Sequence, residues 1–251
     1  VIRTERDGGV LILRLDRPEK RNALTPTMLR ALAEAVVAGA GAGAGLRAIV
    51  LSGVGEVFCA GFDLSLCRDD EGALGAMLTG LSRCVRTLRR SPSPVVVSAH
   101  GAAVAGGCAL LGGADVVVTD ERARLGYPVV RLGISPAVTA PFLRLAVGDG
   151  ASRVRALDPG LIDGMEALRI GLAHECLATP AEAEARAIEI AREIAAKPPG
   201  GVAATKAWLN DIDGSGADAD ADAGLAASLG LAGSDEQRER LRELWAGGGK
   251  R

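Results

Sequence analysis

Apolar and polar positions change their spacing several times along this chain, and each change predicts an element. Residues 1–16 read as two short strands joined at the turn signal Asp7-Gly8-Gly9. The spacing then lengthens to that of a helix. Thr25 can cap it, Pro26 suits its first position, and Leu29, Leu32, Val36 and Val37 recur along one face. An Ala/Gly stretch over 38–45 stops it, and the continuous apolar run 48–52 predicts a buried strand. Strand, helix and strand in that order predict a βαβ unit with a right-handed crossover.

The alternation continues. Asp69-Asp70-Glu71 places negative charge at the start of a helix that reaches Arg90, and Ser91-Pro92-Ser93-Pro94 forces extended backbone into Val95-Val96-Val97. A short helix is predicted over 105–111, and strands over 115–119 and 123–127. After Pro136 the pattern is helical: 141–147, 163–169, 180–196 and 201–209. Residues 213–222, rich in Gly, Ala and Asp, read as a mobile surface loop rather than a metal site. Ser234-Asp235-Glu236-Gln237 resembles a capped helix start, and the tail from Gly247 is expected to fray.

Two small-residue segments follow apolar strands. Phe58-Cys59-Ala60-Gly61-Phe62-Asp63-Leu64 lies after the run ending at Ser52, and Gly101-Ala102-Ala103-Val104-Ala105-Gly106-Gly107-Cys108 lies after 94–98. Residues without bulk let a ligand approach the backbone. Two convergent N–H groups are what a thioester oxygen needs as it gains negative charge.

These segments resemble the crotonase, or enoyl-CoA hydratase/isomerase, family. The resemblance also takes in Leu15-Asp16-Arg17-Pro18-Glu19-Lys20-Arg21-Asn22-Ala23-Leu24, Gly126-Tyr127-Pro128 with Leu132-Gly133-Ile134, and Ala167 to Ala173, all in order. It implies an α/β fold with a crotonase-like ββα spiral core over 1–198. A C-terminal helical region over 199–251 would belong to the same structural unit and pack at a trimer interface. It implies an acyl-CoA thioester as ligand, with coenzyme A part of the substrate and no separate cofactor. A homotrimer, or a hexamer built from two trimers, would follow.

By the same resemblance, the backbone N–H groups of Phe62 and Gly106 form an oxyanion hole. Gly106 and Gly107 open the predicted helix 105–111, where unpaired N–H groups favour an anion, although both glycines could instead serve tight packing. Ala23, Ala60, Asp63 and Leu64 border the CoA moiety, and Lys20 and Arg21 reach its phosphates or stay solvated. Family hydratases place glutamates where this chain has Ala109 and Val129, and a further acidic position appears here as Ala137. Hydration needs one group to activate water and another to protonate the α-carbon, so ordinary hydratase activity is not expected.

Substitute proton-transfer candidates are Tyr127 and Asp63, the latter usually structural in the family. Arg131, two residues past Val129, would face the same way on an extended segment and could hold a substrate carboxylate or make a surface ion pair. His100 reads as a hydrogen-bonded structural histidine, and Cys59 and Cys67, with no positioned base, as inert. Three functional readings remain: an enzyme that stabilises a thioester enolate or oxyanion, as a lyase or isomerase or as a malonyl-type acyl-CoA decarboxylase; a silent acyl-CoA-binding or scaffold member; and an ordinary hydratase or isomerase that uses substitute residues.

Composition narrows the partners. The 251 residues are 48% hydrophobic and 24% charged, with 29 basic against 31 acidic side chains and a net charge of -2. Nothing there favours nucleic acid. The basic face Arg83, Arg86, Arg89, Arg90 reads as solvated, or as a contact for CoA phosphates. Five cysteines without close pairs argue against a disulfide framework, and with two histidines no metal cluster stands out. No apolar run is long enough to span a membrane. A cytoplasmic protein is the expectation, and the family resemblance implies a place in fatty acid metabolism.

Overall fold

The fold is described from a computed structural model, which covers residues 1–40, 45–157 and 160–247. Its strands are β1 (Ile2–Asp7), β2 (Val10–Leu15), β3 (Ala48–Gly53), β4 (Val95–Ser98), β5 (Ala102–Val104), β6 (Val116–Asp120), β7 (Arg124–Gly126) and β8 (Glu175–Leu177). The helices are α1 (Pro26–Gly39), α2 (Ala73–Arg90), α3 (Gly106–Ala109), α4 (Ala140–Leu157), α5 (Gly164–Arg169), α6 (Pro180–Ala195), α7 (Pro199–Ile212), α8 (Ala219–Leu229) and α9 (Asp235–Gly247). Residues 248–251 of the tail, and 41–44 of the Ala/Gly stretch, lie outside the described residues.

β1 and β2 form the hairpin that the Gly8-Gly9 turn predicts, with Asp7 opposite Val10. β2, β3, β4, β6 and β8 then run parallel, giving the sheet order β1-β2-β3-β4-β6-β8. Every residue of β3 and β4 is buried, as expected of parallel strands covered on both faces. The two-residue side-chain period sorts the faces. Val10, Ile12, Val50, Val96 and Val118 pack against an alanine-lined face of α6, including Ala183, Ala187 and Ala191. Leu11, Leu13, Ile49, Leu51, Val95 and Val97 point the other way, into the larger core with α1 and α2.

Helix ends follow local chemistry. The Thr25 side chain accepts a hydrogen bond from the Met28 N–H, with Pro26 at the first position. Thr179 and Glu182 close a capping box on α6. Val37 departs from the expected apolar stripe of α1 and is exposed. The predicted helix 141–147 is the front of the longer α4, which breaks at Gly148 where φ is 76°.

The expectation of a mobile loop over 213–222 is corrected. Asp218 and Asp222 lie at the start of α8, and Arg86 Nη1 bonds to both, at 3.0 and 2.7 Å. Arg90 bonds to Asp218 and Arg89 to Asp213. At these three arginines the basic face of α2 is therefore paired with carboxylates rather than free for CoA phosphates. α7 docks on the same region. Its Lys206 ammonium, 5% exposed, donates to Asp115 at 2.6 Å and to the Leu88 and Ser93 carbonyls.

Candidate functional site

Three loops meet beside the smaller sheet formed by β5 and β7. The segment after β3 runs alongside β5: Cys59 N–H donates to the Ala102 carbonyl at 2.9 Å, and Val104 N–H to the Cys59 carbonyl at 3.0 Å. That pairing puts Cys59 beside Ala103. Three residues further along each segment stand Phe62 and Gly106. A Cβ added to Gly106 would lie 2.9 Å from Phe62 Cε1, and one added to Gly61 would lie 3.8 Å from the Gly106 nitrogen. The two segments are therefore in direct contact, and glycine makes that approach possible.

The third loop, 17–24, completes the frame. Leu24 N–H donates to the Gly61 carbonyl at 2.7 Å and Asp63 N–H to the Leu24 carbonyl at 2.9 Å. This bridge uses both neighbours of Phe62 and leaves the Phe62 N–H out. Gly106 is the first residue of α3, so its N–H has no acceptor within the helix. Neither N–H donates to another backbone group among the described residues. α3 is a single turn, so the donor there is the N–H itself rather than a summed helix dipole. Ala105, just before it, has φ 52° and ψ −115°, a conformation that costs a non-glycine residue about 1–3 kcal/mol and is concentrated at functional sites. Its N–H donates to the Gly126 carbonyl at 2.8 Å, which helps to hold it there.

Asn22 organises the 17–24 loop and was not singled out by sequence reasoning. It is fully buried with φ 55°. Its amide donates to the Val54 and Val57 carbonyls, and its Oδ1 accepts from Arg17 N–H. The available signal was an Asn next to a turn, since Asn tolerates the left-handed region.

A cavity of about 170 Å³ opens between these loops. Ala60, Phe62, Leu64 and Gly106 line it, as do Ala109, Tyr127 and Val129. Leu78 and Leu81 of α2 close one side. Residues 134–136, Val138 and Thr139, ahead of α4, close another. Among the lining residues there is no Asp, Glu, His, Lys or Arg. Tyr127 is 3% exposed, and its hydroxyl donates to the Cys108 carbonyl at 3.2 Å. Burial first, then the Cys108 thiol, hold its pKa well above the usual tyrosine value, against an opposing contact from the Thr139 side chain. The phenol thus stays neutral and already has an acceptor for its proton.

Several expected site residues do not line this cavity. Asp63 is absent from the cavity lining. Burial pushes its pKa up, but hydrogen bonds from Ser65 and Arg17 outweigh that and hold it below the usual range. Its carboxylate caps the turn 64–68 and pairs with Arg17 at 3.0 Å, which is a structural task. Arg131 is exposed and outside the lining, because 128–132 is a 3-10 turn rather than extended chain. With three residues per turn, positions two apart do not share a side. Gly107 is packed against backbone, where a Cβ would meet the Cys59 carbonyl oxygen at 2.5 Å. Lys20 is exposed on the turn 18–20, and Ala23, half-buried, gives its carbonyl to Arg17 at 2.8 Å.

The remaining candidates are structural. His100 is buried between Ser98 Oγ and the Gly55 carbonyl, each 3.3 Å away. Burial raises the Cys59 thiol to about 12, and burial likewise raises Cys67. Neither thiol is poised as a nucleophile. Sequence reasoning also missed the wall formed by 134–139, whose place is set by tertiary packing. Val138 N–H donates to Ser228 Oγ at 2.9 Å, and Ser228 in turn donates to the Ser135 carbonyl at 3.0 Å.

Known proteins share the sequence pattern and the fold. Residues 5–223 match the family described as enoyl-CoA hydratase/isomerase. A Thermus thermophilus protein provisionally named an enoyl-CoA hydratase is 33% identical over 243 residues, 95% of each chain. A Mycobacterium tuberculosis protein is 32% identical over 241 residues, 94% of this chain and 96% of its own. It is named (7aS)-7a-methyl-1,5-dioxo-2,3,5,6,7,7a-hexahydro-1H-indene-carboxyl-CoA hydrolase. The crystal structure of enoyl-CoA hydratase from Bacillus halodurans superposes with a TM-score of 0.86 at 26% identity, covering 96% of this chain and 99% of that one. The family match and the whole-chain superposition agree, and this protein belongs to the enoyl-CoA hydratase/isomerase, or crotonase, family, with Ala109 and Val129 on the wall of its cavity.

Proposed function

We propose that this protein binds an acyl-CoA thioester, polarises its carbonyl between the N–H groups of Phe62 and Gly106, and does not act as an ordinary enoyl-CoA hydratase. One observation carries this reading. The cavity lined by Phe62 and Gly106 has Tyr127 as its single side chain with a titratable proton. Two unused N–H donors suit an oxygen that gains charge, a contribution typically worth about 3 kcal/mol per donor. Water addition needs an acid and a base, each contributing about 10²–10⁴-fold. Ala109 and Val129 supply neither, and the Tyr127 proton is committed to the Cys108 carbonyl.

An apolar wall beside an oxyanion site favours one specific chemistry, decarboxylation of a malonyl-type thioester. The bond from the α-carbon to the carboxylate breaks, its electron pair forms the enolate, carbon dioxide leaves, and solvent returns a proton to the α-carbon. No side-chain base is needed. The Mycobacterium relative is named a hydrolase, but hydrolysis here would need an activated water and the cavity lining holds no base for it. We place the protein as a lyase or isomerase, with CoA as part of the substrate. The proposal extends to a homotrimer, or a hexamer of two trimers, in the cytoplasm and within fatty acid metabolism, with 1–198 as core and 199–251 as its helical region.

The test is to assay crotonyl-CoA hydration and carbon dioxide release from methylmalonyl-CoA, then repeat with phenyllactate in place of Phe62, which swaps its N–H for an ester oxygen. We expect negligible hydration, and a fall of about 10²–10³ in the observed turnover on loss of the donor. Fast hydration by the unmodified protein would overturn the reading. Saturable CoA-thioester binding without turnover on a broad panel would assign it instead to the silent binding members of the family.

A further inference from the structure

A second cavity, of about 250 Å³, adjoins the first. Among the described residues, Tyr127 is the one that lines both. The two differ in chemistry. The cavity beside Phe62 and Gly106 has no charged side chain on its lining, whereas Arg89, Asp115, His174 and Asp213 line the second. A barrier at Tyr127 therefore separates an apolar hollow from a charged one.

Two segments run past that barrier, and each passes from one cavity to the other along its length. Ala109 lines the first, and Leu111 and Gly112 line the second. Val138 and Thr139 line the first, and Phe142 and Leu143 line the second. The Tyr127 side chain reaches both segments at the crossing. Its hydroxyl donates to the Cys108 carbonyl at 3.2 Å and lies against the Thr139 side chain. The residue is buried, and the far end of its ring is tied to backbone. The ring is thus a plug, fixed across the gap between 108–112 and 138–143.

We propose that Tyr127 is a specificity-determining residue that sets the depth of the acyl site, and that the protein takes short acyl groups of about six carbons or fewer. This rests on the acyl-CoA reading above and names the substrate class of that same cavity. The size follows from volume. An apolar cavity of about 150 Å³ takes up benzene, and the cavity on the Phe62 side has about 170 Å³. A longer chain would have to displace the phenol, break its bond to the Cys108 carbonyl, and enter a hollow that holds charge. Ile134, Ser135 and Pro136 also border a further hollow. That wall is backbone, held by Ser228 at the Ser135 carbonyl and the Val138 N–H, so it closes the other way out.

The experiment needs no turnover. Isothermal titration calorimetry compares butyryl-, hexanoyl-, octanoyl- and decanoyl-CoA on the full-length protein and on Tyr127→Phe, Tyr127→Ala and Tyr127→Leu. Each methylene that enters an apolar site is worth about fourfold in affinity. We expect the wild type to gain about tenfold from butyryl- to hexanoyl-CoA and nothing beyond it. Tyr127→Phe keeps the ring and should keep that limit. Tyr127→Ala should extend the gain to octanoyl-CoA, by about tenfold. Tyr127→Leu, which keeps a smaller apolar side chain, reads the same shift if the alanine variant does not fold. A wild-type gain that continues to decanoyl-CoA overturns this proposal, since the chain then leaves the cavity past Tyr127 or past 134–136. A wild-type affinity that ignores chain length, or a limit unmoved in the truncated variants, overturns it too. Each of these leaves the acyl-CoA reading standing. Failure of the wild type to bind any thioester overturns both.

Discussion

Gly106 and Gly107 are neighbours, yet their missing side chains answer to different surroundings. A Cβ on Gly107 would press on the Cys59 carbonyl oxygen at 2.5 Å and on Cys59 Cβ at 2.8 Å. Backbone held in a parallel bridge has little room to yield, so Gly107→Ala is expected to cost about 1–3 kcal/mol, read from urea unfolding. A Cβ on Gly106 would instead meet the edge of the Phe62 ring, which can turn. Gly106→Ala should therefore unfold at higher urea than Gly107→Ala while reshaping the cavity. A double-glycine motif is readable in sequence, but which glycine faces a ligand is decided by what packs behind each one. The same holds for Asp63. Its position next to Phe62 was plain in the chain, whereas its engagement with Arg17 depends on a loop more than forty residues earlier.

Strands and long helices were legible because their signals are local. The apolar runs at β3 and β4 and the capped starts of α1 and α6 carry their own period and punctuation. Two segments misled for a physical reason. Pro128 to Leu132 turns into a 3-10 helix, which spoils any inference from alternate positions. The Asp-rich stretch before α8 is poor in helix formers, and its partners lie on α2, far away in sequence. Asp213 feels desolvation, which raises its pKa, but hydrogen bonds from Ser215 and Arg89 outweigh it and lower the value. Arg90 and Arg86 lower that of Asp218. A carboxylate whose pKa falls on folding stabilises the fold fully above its unfolded value of about 3.9, and loses that contribution as pH drops through the folded value. Protection of the α8 amides, relative to their intrinsic exchange at each pH, should therefore fall below about pH 4, well before that of β3 and β4. Added salt at neutral pH should lower it modestly by screening these exposed pairs. Protection in α8 that ignores both acid and salt would show that the arginines do not hold the helix.

The larger organisation leaves apolar surface uncovered. On α7, Trp208, Leu209 and Ile212 are 65, 55 and 65% exposed, and α4 exposes Val154 and Leu157. Side chains of this kind grouped on helices usually meet another chain. Trp208→Glu combined with Ile212→Glu is expected to lower the mass measured by light scattering without unfolding the protein, because neither side chain is buried in the protomer. An unchanged mass would place the contact elsewhere. The helical end of the chain also reaches inward, through the bonds from Ser228 to the cavity wall. Residue 198 is therefore no seam along which a minimal catalytic scaffold could be pruned. A chain trimmed there would keep both glycine loops but lose the bonds behind 135–138, so one wall of the cavity is kept in shape by a stretch that lines no part of it.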